Sequence, residues 1–148
     1  MYHWTVPIIS VILIFSYAIP GRCVGFHRKW QEIGIDLKNV SEILRKSKYW
    51  KYREGLKLYT AGPVDHDTCG QSILSCYVQE LKALVEEINL IGDEDAAQRI
   101  SDKIYEMEVN GDLYSLQDGG CKKCEEYEEK PIEEFMEDFK TLTQIMQT

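Results

Sequence analysis

Cys69 and Cys76 stand seven residues apart, and Cys121 and Cys124 stand three apart around Lys122-Lys123. Seven positions are nearly two turns of an α-helix, so the first two sulfurs face the same way, about 10 Å apart along the axis. A disulfide cannot span that distance. In an oxidising compartment each of the two therefore pairs with one of the second set, which leaves two connectivities open. Either one clamps the start of one element to the approach to another. Beyond Cys124 the chain runs through a block of acids to Pro131, a residue favoured in the first turn of a helix.

The N-terminus bears on the compartment. Val6 to Ile19 is nearly all apolar. That is too short to cross a bilayer, which takes roughly 20 apolar residues, and suits the apolar region of a signal peptide. Cleavage after Gly25 puts Cys23 and Gly25 at the two small-residue positions. Residues 1–25 are expected to be a leader and residues 26–148 a single secreted, extracellular domain, with no membrane insertion of the mature chain. Losing Cys23 lowers the cysteine count from five to four, and an even count in a small secreted chain reads as two disulfides.

The formal net charge of -8 argues against a nucleic-acid partner. The charge is also segregated. Phe26 to Lys57 carries nine Lys or Arg against four Asp or Glu, whereas Leu58 to the C-terminus carries seven against twenty-one. Such asymmetry usually marks distinct solvated faces, and it can also steer a protein toward a partner of opposite sign.

Helical periodicity dominates. Trp30, Ile33, Leu37, Val40 and Leu44 recur at three and four within a helix predicted over 26–47; Glu32, Asp36, Asn39 and Ile43 fall on another face, and Ile35 is expected to be exposed. Residues 48–68 are a long, lysine- and aromatic-rich crossover with a short extended piece at Leu56 to Thr60. A second helix runs from about Cys69 or Gln71 to Ile91, with Ile73, Leu74, Tyr77, Leu81, Leu84, Val85, Ile88 and Ile91 inward. Cys69, Cys76, Glu80, Ala83 and Glu87 share a second line on it, so the disulfide edge continues as an acidic edge. Asp93 caps a third helix over 94–108 with Ala97, Ile100, Ile104 and Met107 inward. A fourth begins near Pro131 and buries Ile132, Phe135, Met136, Phe139, Leu142 and Met146, leaving Gln144 outside. Four amphipathic helices without a strand-rich region predict an all-α four-helix bundle.

Catalytic readings are weaker. Cys121 and Cys124 have redox-pair spacing, but four glutamates follow them and would raise a thiol pKa. A four-cysteine zinc site fits the thiolate count, with disulfides favoured after secretion. Asp65-His66-Asp67 has the flavour of a secreted phospholipase A2, a hydrolase using His66 and Asp67, yet the glycine-rich calcium loop is missing. The plainer reading is a polar lead into a helix capped by Asp67 or Thr68. A third possibility, a disulfide-stapled lipid or odorant carrier, needs a large apolar cavity. No enzyme activity, metal or cofactor is expected. Glu80 and Glu87 stand by default on a solvated face, but their alignment beside a staple suits recognition of a basic partner.

The segment from Gly120 to Lys130, followed by Ile132, Glu134 and Phe135, resembles the approach to the last helix in the interleukin-15 and interleukin-2 family of short-chain cytokines. Leu58-Tyr59-Thr60, the Cys69 to Cys76 spacing, Glu80-Leu81, and Trp30 followed by Asp36-Leu37-Lys38 resemble it as well. The two-by-two cysteine framework is similar to the interleukin-15 branch; an interleukin-2-like paralogue is the second choice. The resemblance implies an up-up-down-down bundle with a long first crossover and the pairing Cys69–Cys121 and Cys76–Cys124. It further implies a cytokine that binds an interleukin-15 receptor α chain and signals through the interleukin-2/15 receptor β chain and the common cytokine receptor γ chain to Janus kinases, stimulating lymphocytes. Carried over by position, Glu80 and Glu87 meet the α chain, Asp36 and Asp102 the β chain, and Gln144 the γ chain; all five are expected off the core stripes. Asn39-Val40-Ser41 is a glycosylation sequon one turn from Asp36, so Asn39 is expected to be largely unmodified or to carry a sugar that points aside.

Overall fold

The computed structural model describes residues 20–62, 66–115 and 119–148. The apolar stretch Val6 to Ile19 lies outside the described residues, as do the side chains of His66, Asp67 and Thr68. Four helices carry the fold: α1 (Pro20–Lys46), α2 (His66–Leu90), α3 (Glu94–Asn110) and α4 (Ile132–Ile145). Helix α1 begins upstream of the predicted start at Phe26. Helix α2 leaves helical geometry at Cys69 (φ -120°, ψ 17°), so its regular part starts where the periodicity starts.

Helices α2 and α3 are joined by a tight turn in which Gly92 takes a φ of 88°, a value glycine adopts without strain. Asp93 then caps α3, its carboxylate accepting from the Ala96 N–H at 3.4 Å. The other two connections are long. The first holds a 3₁₀ turn (Lys48–Tyr52) and strand β1 (Lys57–Thr60); the second holds 3₁₀ turns at Leu113–Ser115 and Cys124–Glu126 and strand β2 (Glu128–Pro131). β1 and β2 pair antiparallel with Leu58 opposite Lys130 and Thr60 opposite Glu128. One short link between two long crossovers gives the up-up-down-down topology. β1 falls in the extended piece expected at Leu56 to Thr60, whereas its partner β2 was not expected.

The core follows the predicted stripes. Trp30, Ile33, Leu37, Val40 and Leu44 are buried, as are the predicted inward residues of α2 except Ile91, which is 39% exposed just past the helix end. Tyr77 stacks on Phe139 with ring centroids 4.4 Å apart, and its hydroxyl donates to the Ala61 carbonyl at 2.8 Å, fixing the end of β1 to the core. Val78 and Ala96 are buried in addition. Gly111 marks a close approach at the end of α3: a Cβ there would stand 2.5 Å from Leu74 Cδ2. Met146 is only partly buried.

The disulfides are Cys69–Cys121 and Cys76–Cys124, with Cα separations of 5.9 and 5.4 Å. Because Cys121 and Cys124 are bonded to α2 rather than to each other, neither a redox pair nor a four-thiolate zinc site forms. Among the described residues there is no cluster of three or more metal-ligating side chains, and no helix long and apolar enough to cross a membrane.

Candidate functional site

The five carried-over positions occupy three separate faces. Glu80 and Glu87 are nearly two turns apart on the edge of α2 that also carries Cys76. The first crossover holds both carboxylates. The Tyr59 backbone N–H donates to Glu80 Oε2 at 2.9 Å, and the Tyr49 hydroxyl donates to Glu87 Oε2 at 2.8 Å. Glu80 is half-buried, and burial raises its pKa; the Tyr59 N–H works against this, while Glu129 and Glu125 add to the rise. Tyr49 is buried. Burial first, and then its hydrogen bond to Glu87, hold its hydroxyl above the ordinary tyrosine range, so it stays a donor.

Asp36 corrects an expectation. Helical spacing puts it off the core stripe, yet it is only 6% exposed. Helix α1 packs on both α3 and α4, so its buried arc is wider than one stripe. Ile43, seven residues on, is buried on the same line. The Asp36 carboxyl faces Lys103 Nζ at 3.9 Å, and the same ammonium lies 3.4 Å from Glu106 Oε2. Burial pushes the Asp36 pKa up to about 7; hydrogen bonding to Glu106 and its charge add to this, Lys103 opposes it, and Glu32 contributes a smaller rise. The hydrogen bond from Asp36 holds Glu106 below the usual carboxylate range, with Lys103 helping. Asp36 is therefore the more readily protonated member of the pair and Glu106 the more acidic.

Asp102 is exposed and accepts from Gln98 Nε2 at 3.0 Å. It lines a groove of about 330 Å³ between α1 and α3, with Asn39, Lys103 and Glu106 on its walls. Asn39 is half-buried there, in mid-helix. On the other side of α1 a cleft of about 800 Å³ separates α1 from α4. Gln144 is exposed and lines it, as does Ile35, which is 55% exposed as predicted. Helix α1 therefore borders two faces, and the α2 edge is a third.

Sequence reasoning missed Lys103 and Glu106, which complete the Asp36 cluster, and Tyr49 and Tyr59, which hold the α2 acids. The signal for Asp36 was Ile43: an apolar residue seven positions away on the same line as an acid. For Tyr49 there was only its place in an aromatic-rich crossover.

The family described as Interleukin 15 matches residues 8–148. Interleukin-15 of Marmota himalayana is 29% identical over 119 residues, covering 78% of this chain and 67% of the relative. The figures for interleukin-15 of Cavia porcellus are the same. Interleukin-15 of Chlorocebus aethiops is 28% identical over 140 residues, covering 93% of this chain and 77% of the relative. The match extends to the last residue and overlies helices, crossovers and both disulfides alike, so the chain belongs to the interleukin-15 family, whose members are cytokines and not enzymes.

Proposed function

We propose that this cytokine is secreted after removal of residues 1–25 and acts by bridging receptors. The acidic edge of α2 takes an interleukin-15 receptor α chain, the α1–α3 face takes the interleukin-2/15 receptor β chain, and the α1–α4 cleft takes the common γ chain. The observation that carries this reading is the arrangement of Glu80 and Glu87. Both carboxylates lie on one rigid edge beside the Cys76–Cys124 bond, and each is oriented by a donor from the first crossover. Charges fixed before binding lose little side-chain entropy on association, which favours affinity, and their field speeds encounter with a basic partner.

The β-chain face works differently. Asp36 lies beneath Lys103 and Glu106, so it acts through them, while Asp102 supplies the exposed charge. Gln144 and Ile35 give the γ-chain face a mixed polar and apolar rim. A glycan at Asn39 would stand in the α1–α3 groove; we expect Asn39 to be largely unmodified in secreted material, or its sugar to point aside, and glycopeptide mass spectrometry reads its occupancy. The direct test of the whole reading is a binding assay against the α, β and γ ectodomains of the same species. Tight binding to α alone, with β and γ recruited together, is expected. No binding to the α ectodomain overturns it.

A further inference from the structure

Although Lys46 borders the α1–α3 groove and Arg45 the α1–α4 cleft, the receptor reading assigns no role to the positive end of the charge asymmetry. It concentrates where α1 ends and the first crossover begins. Arg45 and Lys46 lie in the last turn of α1, Lys48 and Lys51 in the 3₁₀ turn, and Lys57 at the start of β1. All five are exposed. Among the described residues none of them is paired with a carboxylate. Arg45 and Lys46 complement the negative end of the helix dipole. That explanation does not reach Lys48, Lys51 or Lys57, which lie beyond the helix.

The segment presenting these cations is held in place. Tyr49 is buried and bonded to Glu87, the Lys48 N–H donates to Asp93 Oδ2 at 2.9 Å, and Ser47 Oγ donates to the Leu44 carbonyl at 2.6 Å. Downstream, Arg53 stacks 4.2 Å over the Trp50 ring and pairs with Glu133 at 2.6 Å. In a 3₁₀ turn residues three apart eclipse one another, so Lys48 and Lys51 stand in one row, about 6 Å apart. The run Leu44-Arg45-Lys46-Ser47-Lys48-Tyr49 also sets basic residues at close, interrupted spacing, a pattern suited to polyanion patches.

We propose that the turn from Arg45 to Lys57 is a second binding site, for a sulfated polysaccharide of the extracellular surface. Three features choose this occupant among polyanions. The disulfides place the mature chain in an oxidising, extracellular setting. The basic track is short, and Glu133, Glu134 and Glu137 stand along the neighbouring cleft on α4. A rigid nucleic-acid duplex or a flat anionic bilayer would bring that acidic flank against its own charge; a thin, flexible sulfated chain can follow the turn alone. Binding here would retain the cytokine at a cell surface without occupying the outer edge of α2.

The experiment uses the full secreted protein and size-defined heparin as the probe, at about 0.15 M salt, where the Debye length is near 8 Å and only close charges count. Lys46→Glu/Lys48→Glu/Lys51→Glu is compared with Arg28→Glu/Lys29→Glu/Lys140→Glu, which changes net charge equally at exposed sites elsewhere. Wild type is expected to be retained on heparin despite its net negative charge. The turn variant is expected to lose about tenfold or more in affinity, the control less than about twofold, with thermal melts unchanged for both. Failure of wild type to bind overturns the proposal. So do equal losses in the two variants, equal binding of desulfated heparin, or tighter binding to duplex DNA or anionic vesicles. The outcome is independent of receptor binding, so failure of either reading leaves the other testable.

Discussion

Two sets of acids on this molecule are held by opposite means. Glu80 and Glu87 accept hydrogen bonds from a backbone N–H and a tyrosine hydroxyl, donors that keep their protons through the physiological range. Asp36 and Glu106 instead lie together beside Lys103, where burial and the hydrogen bond between them raise the pKa of Asp36 and lower that of Glu106. The first set is fixed by covalent staples and a strand ladder; in the second, burial raises the pKa of Asp36. A carboxylate oriented by neutral donors presents a fixed acceptor to a partner, whereas the buried carboxyl of Asp36 gives up charge for burial. The two edges proposed to face receptors should therefore respond differently to reduction, pH and mutation.

The largest effect separates them by removing a staple. Cys76→Ser/Cys124→Ser releases a span of 48 residues and should cost about 3 kcal/mol of stability in denaturant unfolding. Well below the unfolding midpoint it should weaken the α2 edge more than the α1–α3 face. Equal losses of affinity for α and β ectodomains would erase the contrast.

A pH test sharpens the other side. The Asp36 pKa lies near 7 in the folded chain against 3.8 as its ordinary value. The folded state thus binds a proton that the unfolded state has released, and Asp36 costs stability increasingly as pH rises from about 4 to about 7. Glu106 has the opposite sense, contributing stability above its ordinary pKa that is lost on acidification. Asp36→Asn keeps a donor to Glu106 and removes the titration. It should stabilise the protein by about 1–2 kcal/mol at pH 7.5 and hardly at all at pH 4, read from unfolding curves at both values. A gain that is independent of pH would show that Asp36 does not have a raised pKa in the folded chain.

The smallest of these effects concerns the crossover. Tyr49→Phe keeps the buried ring and deletes only the hydroxyl that orients Glu87, for a loss of about 1 kcal/mol in α-receptor affinity. In a Glu87→Gln background the same change should add much less, as a double-mutant cycle would read. Additive losses would mean that Tyr49 does not act through Glu87.

The comparison also tells what a sequence can disclose. The α2 edge was legible because Cys69, Cys76, Glu80 and Glu87 keep helical spacing on one element, and the geometry narrowed the disulfides to two pairings before the resemblance implied the order. The β1–β2 ladder was only half legible. Leu58 and Thr60 alternate inward, but Glu128-Glu129-Lys130-Pro131 has neither strand propensity nor alternation, and pairing with β1 rather than local preference makes it a strand. The Asp36 cluster was hidden for another reason. A single-stripe reading treats a charged residue beside the stripe as solvated, and only the packing of α3 against α1 reveals that Lys103 and Glu106 come down to meet it.

The central claim is that the edge of α2, with its charges set by the first crossover, is where the α receptor is gripped. Measuring the affinity of Glu80→Lys/Glu87→Lys for the α ectodomain, alongside Asp102→Lys as a charge-reversed control on the other face, tests it most directly. The account predicts a loss of a hundredfold or more, about 3 kcal/mol, for the α2 variant, with its helical content retained, and no more than a few-fold change for the control. Unchanged α-receptor affinity in a folded α2 variant, or an equal loss in the control, would contradict it.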